Sequence, residues 1–272
     1  MNRRIELTIF SIMILLAAAE AGVVPHIQVD NRPDPRIEIV PIDDAHRSAI
    51  PVSFSSTGVK APPGSFILVN RTGTSITAVD VRWNYTDGKG ELKQSAITCD
   101  AYVFAPLDPI VGANDLSLIT PYGCTREYLF PRLATGRIIG SPLVPGVGSA
   151  MSVDPHTTMH IYLDSIIFED GQIVGPDKFQ YHTQIQERYS VVQAFIVEVM
   201  AGRDAGEDLS AVAARIRKDA QNKADTPTSK ASSRRAYYAG LLQRSPNPEG
   251  SLAQLKAQVP PPAFHHVGEQ HQ

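Results

Sequence analysis

The chain has 272 residues, 43% of them hydrophobic, and carries 25 Lys and Arg against 28 Asp and Glu for a formal net charge of −3. Those apolar residues suffice for one large domain or two small ones. The near-neutral balance argues against non-specific nucleic-acid binding, which needs a clustered basic face; the densest basic run, Arg215-Ile-Arg217-Lys218, is followed at once by Asp219 and reads as a solvated helix face.

Residues 1–21 predict export. Arg3 and Arg4 form a basic head, Leu7 to Ala19 is an almost unbroken apolar run of 13 residues, and Ala19 and Ala21 occupy the −3 and −1 positions of a signal peptidase site. The run is shorter than the roughly 20 residues a spanning helix needs, which favours a cleaved signal over an uncleaved N-terminal anchor. No Cys follows the cleavage site to carry a lipid. A secreted or periplasmic location follows, with no stable membrane span after cleavage.

Residues 22–48 are interrupted by Pro25, Pro33, Pro35 and Pro41 and read as an extended segment, with one short strand at Arg36 to Val40. Residues 49–177 read as β structure. Pro51 to Ser55 begins it, and Ser65 to Asn70 is a buried strand after Pro62-Pro63-Gly64. Ile76 to Thr86 alternates most clearly: Val79, Val81, Trp83 and Tyr85 point one way and Asp80, Arg82 and Asn84 the other. Asp87-Gly-Lys-Gly90 is a hairpin turn, and Leu92 to Phe104 returns as the partner strand. Asp108 to Pro145 reads as short strands and a long loop. Met159 to Glu169 is the second strong strand, with Met159, Ile161, Leu163 and Ile167 on one face and Ile166 and Phe168 on the other, where something must cover them. Asp170-Gly171 turns the chain, Ile173-Val174 returns it, and Gly175-Pro176-Asp177 ends the sheet.

Residues 178–259 switch to a helical period. Ile185, Tyr189, Val192, Ile196 and Val199 form one stripe, closed by Gly202. Leu209 to Ala220 is a second helix opened by Glu207-Asp208, and Ser232 to Leu242 and Ser251 to Val259 are two shorter ones. Residues 260–272, starting with Pro260-Pro-Pro262, read as a disordered tail.

Cys99 and Cys124 both lie in the exported part, where an even pair of thiols normally joins, and two free thiols are the alternative. Short strands, an inward Trp and a disulfide suggest an immunoglobulin-like β-sandwich followed by C-terminal helices. However, the Trp precedes both cysteines, so the bridge is expected to staple a loop and not to join two sheets.

The segments Asn70-Arg-Thr-Gly-Thr-Ser-Ile-Thr-Ala78 and Ile167-Phe-Glu-Asp-Gly-Gln-Ile-Val-Gly-Pro-Asp177, with Trp83 between them and helices after, resemble a group of uncharacterised exported bacterial proteins. In that group an immunoglobulin-like domain carries a Phe-x-Asp-Gly … Gly-Pro-Asp segment ahead of a helical region. The resemblance spans roughly residues 50 to 215 and implies a fold and an envelope or secreted location, but no reaction.

Candidate chemistry is thin. His156, His160 and Asp164 share a strand face, but alternate strand positions lie about 7 Å apart, too far to converge on a metal unaided. Glu169, Asp170 and Asp177 surround a turn without the rhythm of a calcium loop, and an Asp-Gly turn and a helix N-cap explain them as well. Gly146-Val-Gly148-Ser149 lacks the setting of a phosphate loop. His265, His266 and His271 sit in a tail with no preorganisation. Asn70 and Asn84 begin glycosylation sequons. No catalytic residue, metal ligand or cofactor is assigned. The expected function is an exported non-catalytic binding or structural module, with the C-terminal helices as a place for a protein partner. An exported hydrolase or carbohydrate-active enzyme with loop-borne carboxylates is the alternative.

Overall fold

The computed structural model describes residues 25–43, 63–103, 109–121, 123–125, 153–222 and 229–267. The signal segment with Ala19 and Ala21, the strand expected at Pro51 to Ser55, the glycines Gly146 and Gly148 and the last residue singled out, His271, lie outside these residues.

Two sheets form the first part of the fold. Sheet A has six strands: β1 (His26–Val29), β4 (Ile76–Thr86), β5 (Leu92–Asp100), β8 (Thr158–Phe168), β9 (Gln172–Val174) and β10 (His265–His266). Sheet B has four: β2 (Ile37–Pro41), β3 (Phe66–Asn70), β6 (Leu116–Thr120) and β7 (Gly123–Thr125), in the order β2-β3-β6-β7. In sheet A, β4 lies between β5 and β8, and the far edge of β8 is shared: β1 runs parallel to its first residues and β9 antiparallel to its last. Val79, Val81 and Trp83 from sheet A meet Ile39, Phe66, Leu68 and Ile119 from sheet B in one buried cluster, as the alternation along residues 76–86 predicts. Trp83 is fully buried against Phe66, ring centres 6.3 Å apart, and its Nε1–H donates to the Gly64 carbonyl at 2.8 Å.

Cys99 and Cys124 are joined. The bridge runs from β5 of sheet A to β7 of sheet B inside the shared core, and so it links the two sheets, contrary to the loop staple expected from the Trp–Cys order. The physical reason is strand length. Cys99 falls near the end of β5, one pair from Asp100, and the short β6–β7 hairpin brings Cys124 back to the same end of the stack.

The face assignment along β8 also differs from expectation. Register shifts between β4 and β8 leave Thr77 and Asp164 as extra residues. Each bulge advances the alternation by one. Ile166 and Phe168 therefore join Met159, Ile161 and Leu163 in the inter-sheet core, and Ile167 faces the other way.

Four helices follow: α1 (Tyr181–Asp204), α2 (Leu209–Asn222), α3 (Ser229–Arg244) and α4 (Pro248–Lys256). The stripe expected on α1 is real but divided. Tyr181 and Ile185 cover Ala78, Ile167 and Ile173 of sheet A together with Tyr102, whereas Val192, Phe195, Ile196 and Val199 belong to a second core with Val212, Ile216, Tyr238, Leu242 and Leu252 from the other helices. Gly202 does not close α1. It lies buried inside the helix, where a Cβ would sit 2.6 Å from the Val212 side chain, so it permits the close approach of α2. The helix ends at Asp204 and is closed by Gly206, φ +84°, with Glu207 N–H donating to the Gly202 carbonyl and Gly206 N–H to that of Arg203, a Schellman closure. Asp208 opens α2 by accepting from Ser210 N–H at 2.8 Å, and Asn247 caps α4 through Gly250 N–H at 2.9 Å.

The tail expected to be disordered returns to the sheet. His265 and His266 pair in parallel with Gln172 and Ile173 of β9, and His265 N–H and Val267 N–H donate to the carbonyls of Gly171 and Ile173. Open backbone groups along β9 supply the partners that the tail's own composition does not. Gly171 makes the approach possible: its φ is +90°, and a Cβ there would lie 2.2 Å from the Ala263 carbonyl.

Candidate functional site

Among the described residues, the entry into α1 gathers four of the six buried aspartates, Asp80, Asp100, Asp164 and Asp177, on the face of sheet A turned away from the disulfide. Asp164, the extra residue of β8, accepts Lys178 N–H and Phe179 N–H on its two oxygens, both at 3.1 Å, and its own carbonyl accepts Asp177 N–H at 2.9 Å. The loop it holds needs unusual backbone: Gly175 has φ +107° with Asp164 backbone where a Cβ would stand, and Asp177 and Gln180 have φ +42° and +51°.

Asp80, fully buried on β4, pairs with Arg82 at 3.1 Å, and the Arg82 guanidinium lies 3.2 Å from the centre of the Phe179 ring. This polar side of β4 is covered near Arg82, because Phe179 and the loop before α1 lie over it. Asp80 Oδ1, Arg82 Nε and Ser165 Oγ find no hydrogen-bond partner among the described residues. Further along, Asp100 holds the next turn of α1: it accepts the Tyr181 hydroxyl at 2.8 Å and forms an ion pair with Arg188. Burial and then the Asp100 carboxylate push the Tyr181 phenol well above its usual range.

Asp177 is buried and accepts Tyr181 N–H on Oδ1 at 2.8 Å, so it serves the first helical N–H from three residues before Gln180, the residue in the N-cap position. Its Oδ2 contacts His182 Nδ1, and His182 Nε2 meets the Thr183 hydroxyl at 3.1 Å. The ring of His266, on β10, stands edge-on to that of His182 with centres 6.0 Å apart, and Phe264 packs against the same ring at 6.1 Å. One ligand atom from each of Asp177, His182 and His266 lies within 4.8 Å of the other two. The sequence groups Asp177 with Glu169 and Asp170 around one turn and His266 with His265 and His271 in a tail without preorganisation, and it places His182 in no motif, so nothing in the spacing joins the three.

The other sequence candidates do not converge. His160 Nδ1 pairs with Asp30 at 2.8 Å, His156 is exposed, and Asp164 points into the α1 loop. Glu169 and Asp170 are exposed, and Asp170 accepts Gln172 N–H within the Asp-Gly turn. The Asn70 side chain is buried, donating to the carbonyls of Thr74 and Gly112, so its sequon offers no free amide. Glu38 and Asp115 line an open recess of about 370 Å³ on sheet B. Glu38 is held by Arg71 at 3.0 Å, and Asp115 accepts Leu116 N–H.

Asp80 makes stability depend on pH. Burial, set against the nearby Arg82 and reinforced by Asp164 and Asp177, raises its carboxyl from 3.8 to about 6. Between these values the folded protein holds a proton that the unfolded chain has released, so stability falls as pH rises through the window. At most about 3 kcal/mol is involved. The unfolding free energy, followed by urea denaturation, is expected to be higher near pH 5 than near pH 7.5, and Asp80→Asn should remove that part of the slope. An unchanged slope in the variant would refute the assignment.

Among the described residues, no helix is long and apolar enough to cross a membrane. No protein family, curated protein or solved structure matches this chain.

Proposed function

We propose that the protein is an exported, non-catalytic binding or structural module, an immunoglobulin-like sandwich that carries a helical unit as its partner-facing part. The observation behind this reading is the division of the apolar side chains. The sheets and the helices have separate cores, and chiefly Tyr181, Ile185 and Arg188 at the start of α1 tie one to the other. The rest of the helical unit thus forms a second body on a disulfide-linked frame. The buried Trp and the bridge between sheets support the immunoglobulin-like description, while the Trp–Cys order and the parallel β1–β8 pair depart from it. Residues 1–21 and the disulfide support export, the bridge being suited to an oxidising compartment. Kinship with the exported bacterial group rests on residues 70–78 and 167–177.

The test is cross-linked capture of tagged mature protein from its native envelope. A cut after Gly202 would not serve, because it strips the helical core from Val192 and Phe195 and removes β10. Two surface substitutions replace it: Val197→Glu on α1, where the residue is 69% exposed, and Leu92→Glu on β5, where it is 85% exposed. A stoichiometric partner lost with Val197→Glu and kept with Leu92→Glu is expected. Loss with Leu92→Glu alone would move the contact to the sheets. A turnover activity abolished by a point substitution would end the non-catalytic reading.

A further inference from the structure

We propose that Asp177, His182 and His266 bind a zinc-type divalent cation that fastens the returning C-terminal strand to the start of α1. The proposal is independent of the partner reading above.

The three residues come from three places that the fold brings together: the loop after β9, the first turn of α1 and β10. Their order along the chain gives the site its consequence. The chain leaves sheet A after Val174, builds the whole helical unit, and comes back at His265. A bound ion would pin the exit to the return and close that long excursion, a constraint worth most when the closed loop is long.

The donor set decides the class of ion. Two imidazoles and one carboxylate suit zinc and its first-row neighbours, whereas calcium and magnesium prefer oxygen throughout. Geometry agrees. Imidazoles bound to one tetrahedral zinc at about 2.1 Å hold their ring centres about 5 Å apart. The rings of His182 and His266 stand 6.0 Å apart, nearly perpendicular. A small rotation of His266, which is only half-buried, closes the difference.

The supporting contacts are those a metal ligand needs. Ligating histidines use their second nitrogen to hold the ring, and ligating carboxylates are themselves hydrogen-bonded. With Nδ1 of His182 toward the ion, Nε2–H is placed to donate to the Thr183 hydroxyl. Asp177 spends Oδ1 on Tyr181 N–H and keeps Oδ2 on the side of His182. Asp177 is buried while both histidines are partly exposed, so the site opens to solvent on one side. Three ligands from the described residues leave the fourth position of a tetrahedral ion open for a further donor.

The experiment is isothermal titration of the mature protein, freed of any polyhistidine tag, with zinc chloride alone, together with thermal unfolding with and without the ion. One ion per chain is expected, at micromolar affinity or tighter (about −8 kcal/mol at micromolar), with a higher unfolding temperature. His182→Ala and His266→Ala should each weaken binding by more than about tenfold and abolish the thermal gain. His265→Ala should leave both unchanged. Gly171→Ala touches no ligand, but it obstructs the seat of β10 and should weaken binding too. His266→Gln, with far-UV circular dichroism on every variant, separates lost ligation from lost folding. Absence of binding at about 100 μM free zinc, or equal binding by wild type and His266→Ala, would overturn the proposal. Equal dependence on His265 would reduce the site to an adventitious surface pair and overturn it as well.

Discussion

Trp83→Ala is expected to lower stability by about 3–5 kcal/mol, the range for emptying an aromatic site in a packed core. Trp83 lies where both sheets meet, fully buried, and its Nε1–H satisfies the carbonyl of Gly64. The substitution thus opens a cavity and orphans a buried acceptor, which adds about 1–3 kcal/mol if water does not enter. Domains hold only about 5–15 kcal/mol in total, so the variant should be poorly soluble or melt far below the wild type. Trp83→Phe keeps most of the ring contact with Phe66 and loses the hydrogen bond, and a cost of about 1–2 kcal/mol is expected. Urea unfolding followed by far-UV circular dichroism measures all three proteins. Because Trp83 is the only Trp, its fluorescence in the wild type reports the sheet core, and a midpoint coincident with that of circular dichroism shows that the sheets and helices unfold together, so that one free energy describes both. A Trp83→Ala cost under about 1 kcal/mol would mean that the two sheets do not share the core described here.

The second large effect belongs to the disulfide. Cys99→Ala with Cys124→Ala is expected to cost about 3.5 kcal/mol, the loop-closure entropy for a separation of 25 residues. Both residues are buried, so Ala is preferred to Ser, which would bury two hydroxyls. The bridge joins the sheets through their core, and its loss should therefore destabilise the sandwich as a whole and not one loop. Denaturation of the wild type in a strong reductant should reproduce the double variant. If reduction changed only the local exchange of residues 116–125 and left the unfolding midpoint in place, the bridge would be a loop staple after all.

The strands and helices were legible because periodicity is a local property. Ile76 to Thr86 alternates, Ile185 to Val199 steps at helical spacing, and both form as read. Local turn chemistry was equally visible at Asp87–Gly90 and Asp170-Gly171. The errors came where two distant segments decide together. The bulge at Asp164 reversed the faces of Ile166 to Phe168, because register is set by the neighbouring strand and not by the strand itself. Gly202 looked like a helix end and is a contact point, because only the position of Val212 shows what the missing side chain accommodates.

The candidate site was less legible still. Asp177, His182 and His266 obey no spacing rule, since one lies in a loop, one on a helix and one on a strand some eighty residues later. A Pro-rich tail has no packing of its own, so its order depends on the open edge of β9 and on the glycine that lets it approach. By itself, the sequence determined a strand-rich part followed by helices and a pair of cysteines able to join, because hydropathy and period are written residue by residue. Only the tertiary structure decided that the cysteines link two sheets, that α1 serves two cores and that the tail brings a histidine to Asp177. Those outcomes depend on which surfaces meet, and surfaces that meet are seldom neighbours in the chain.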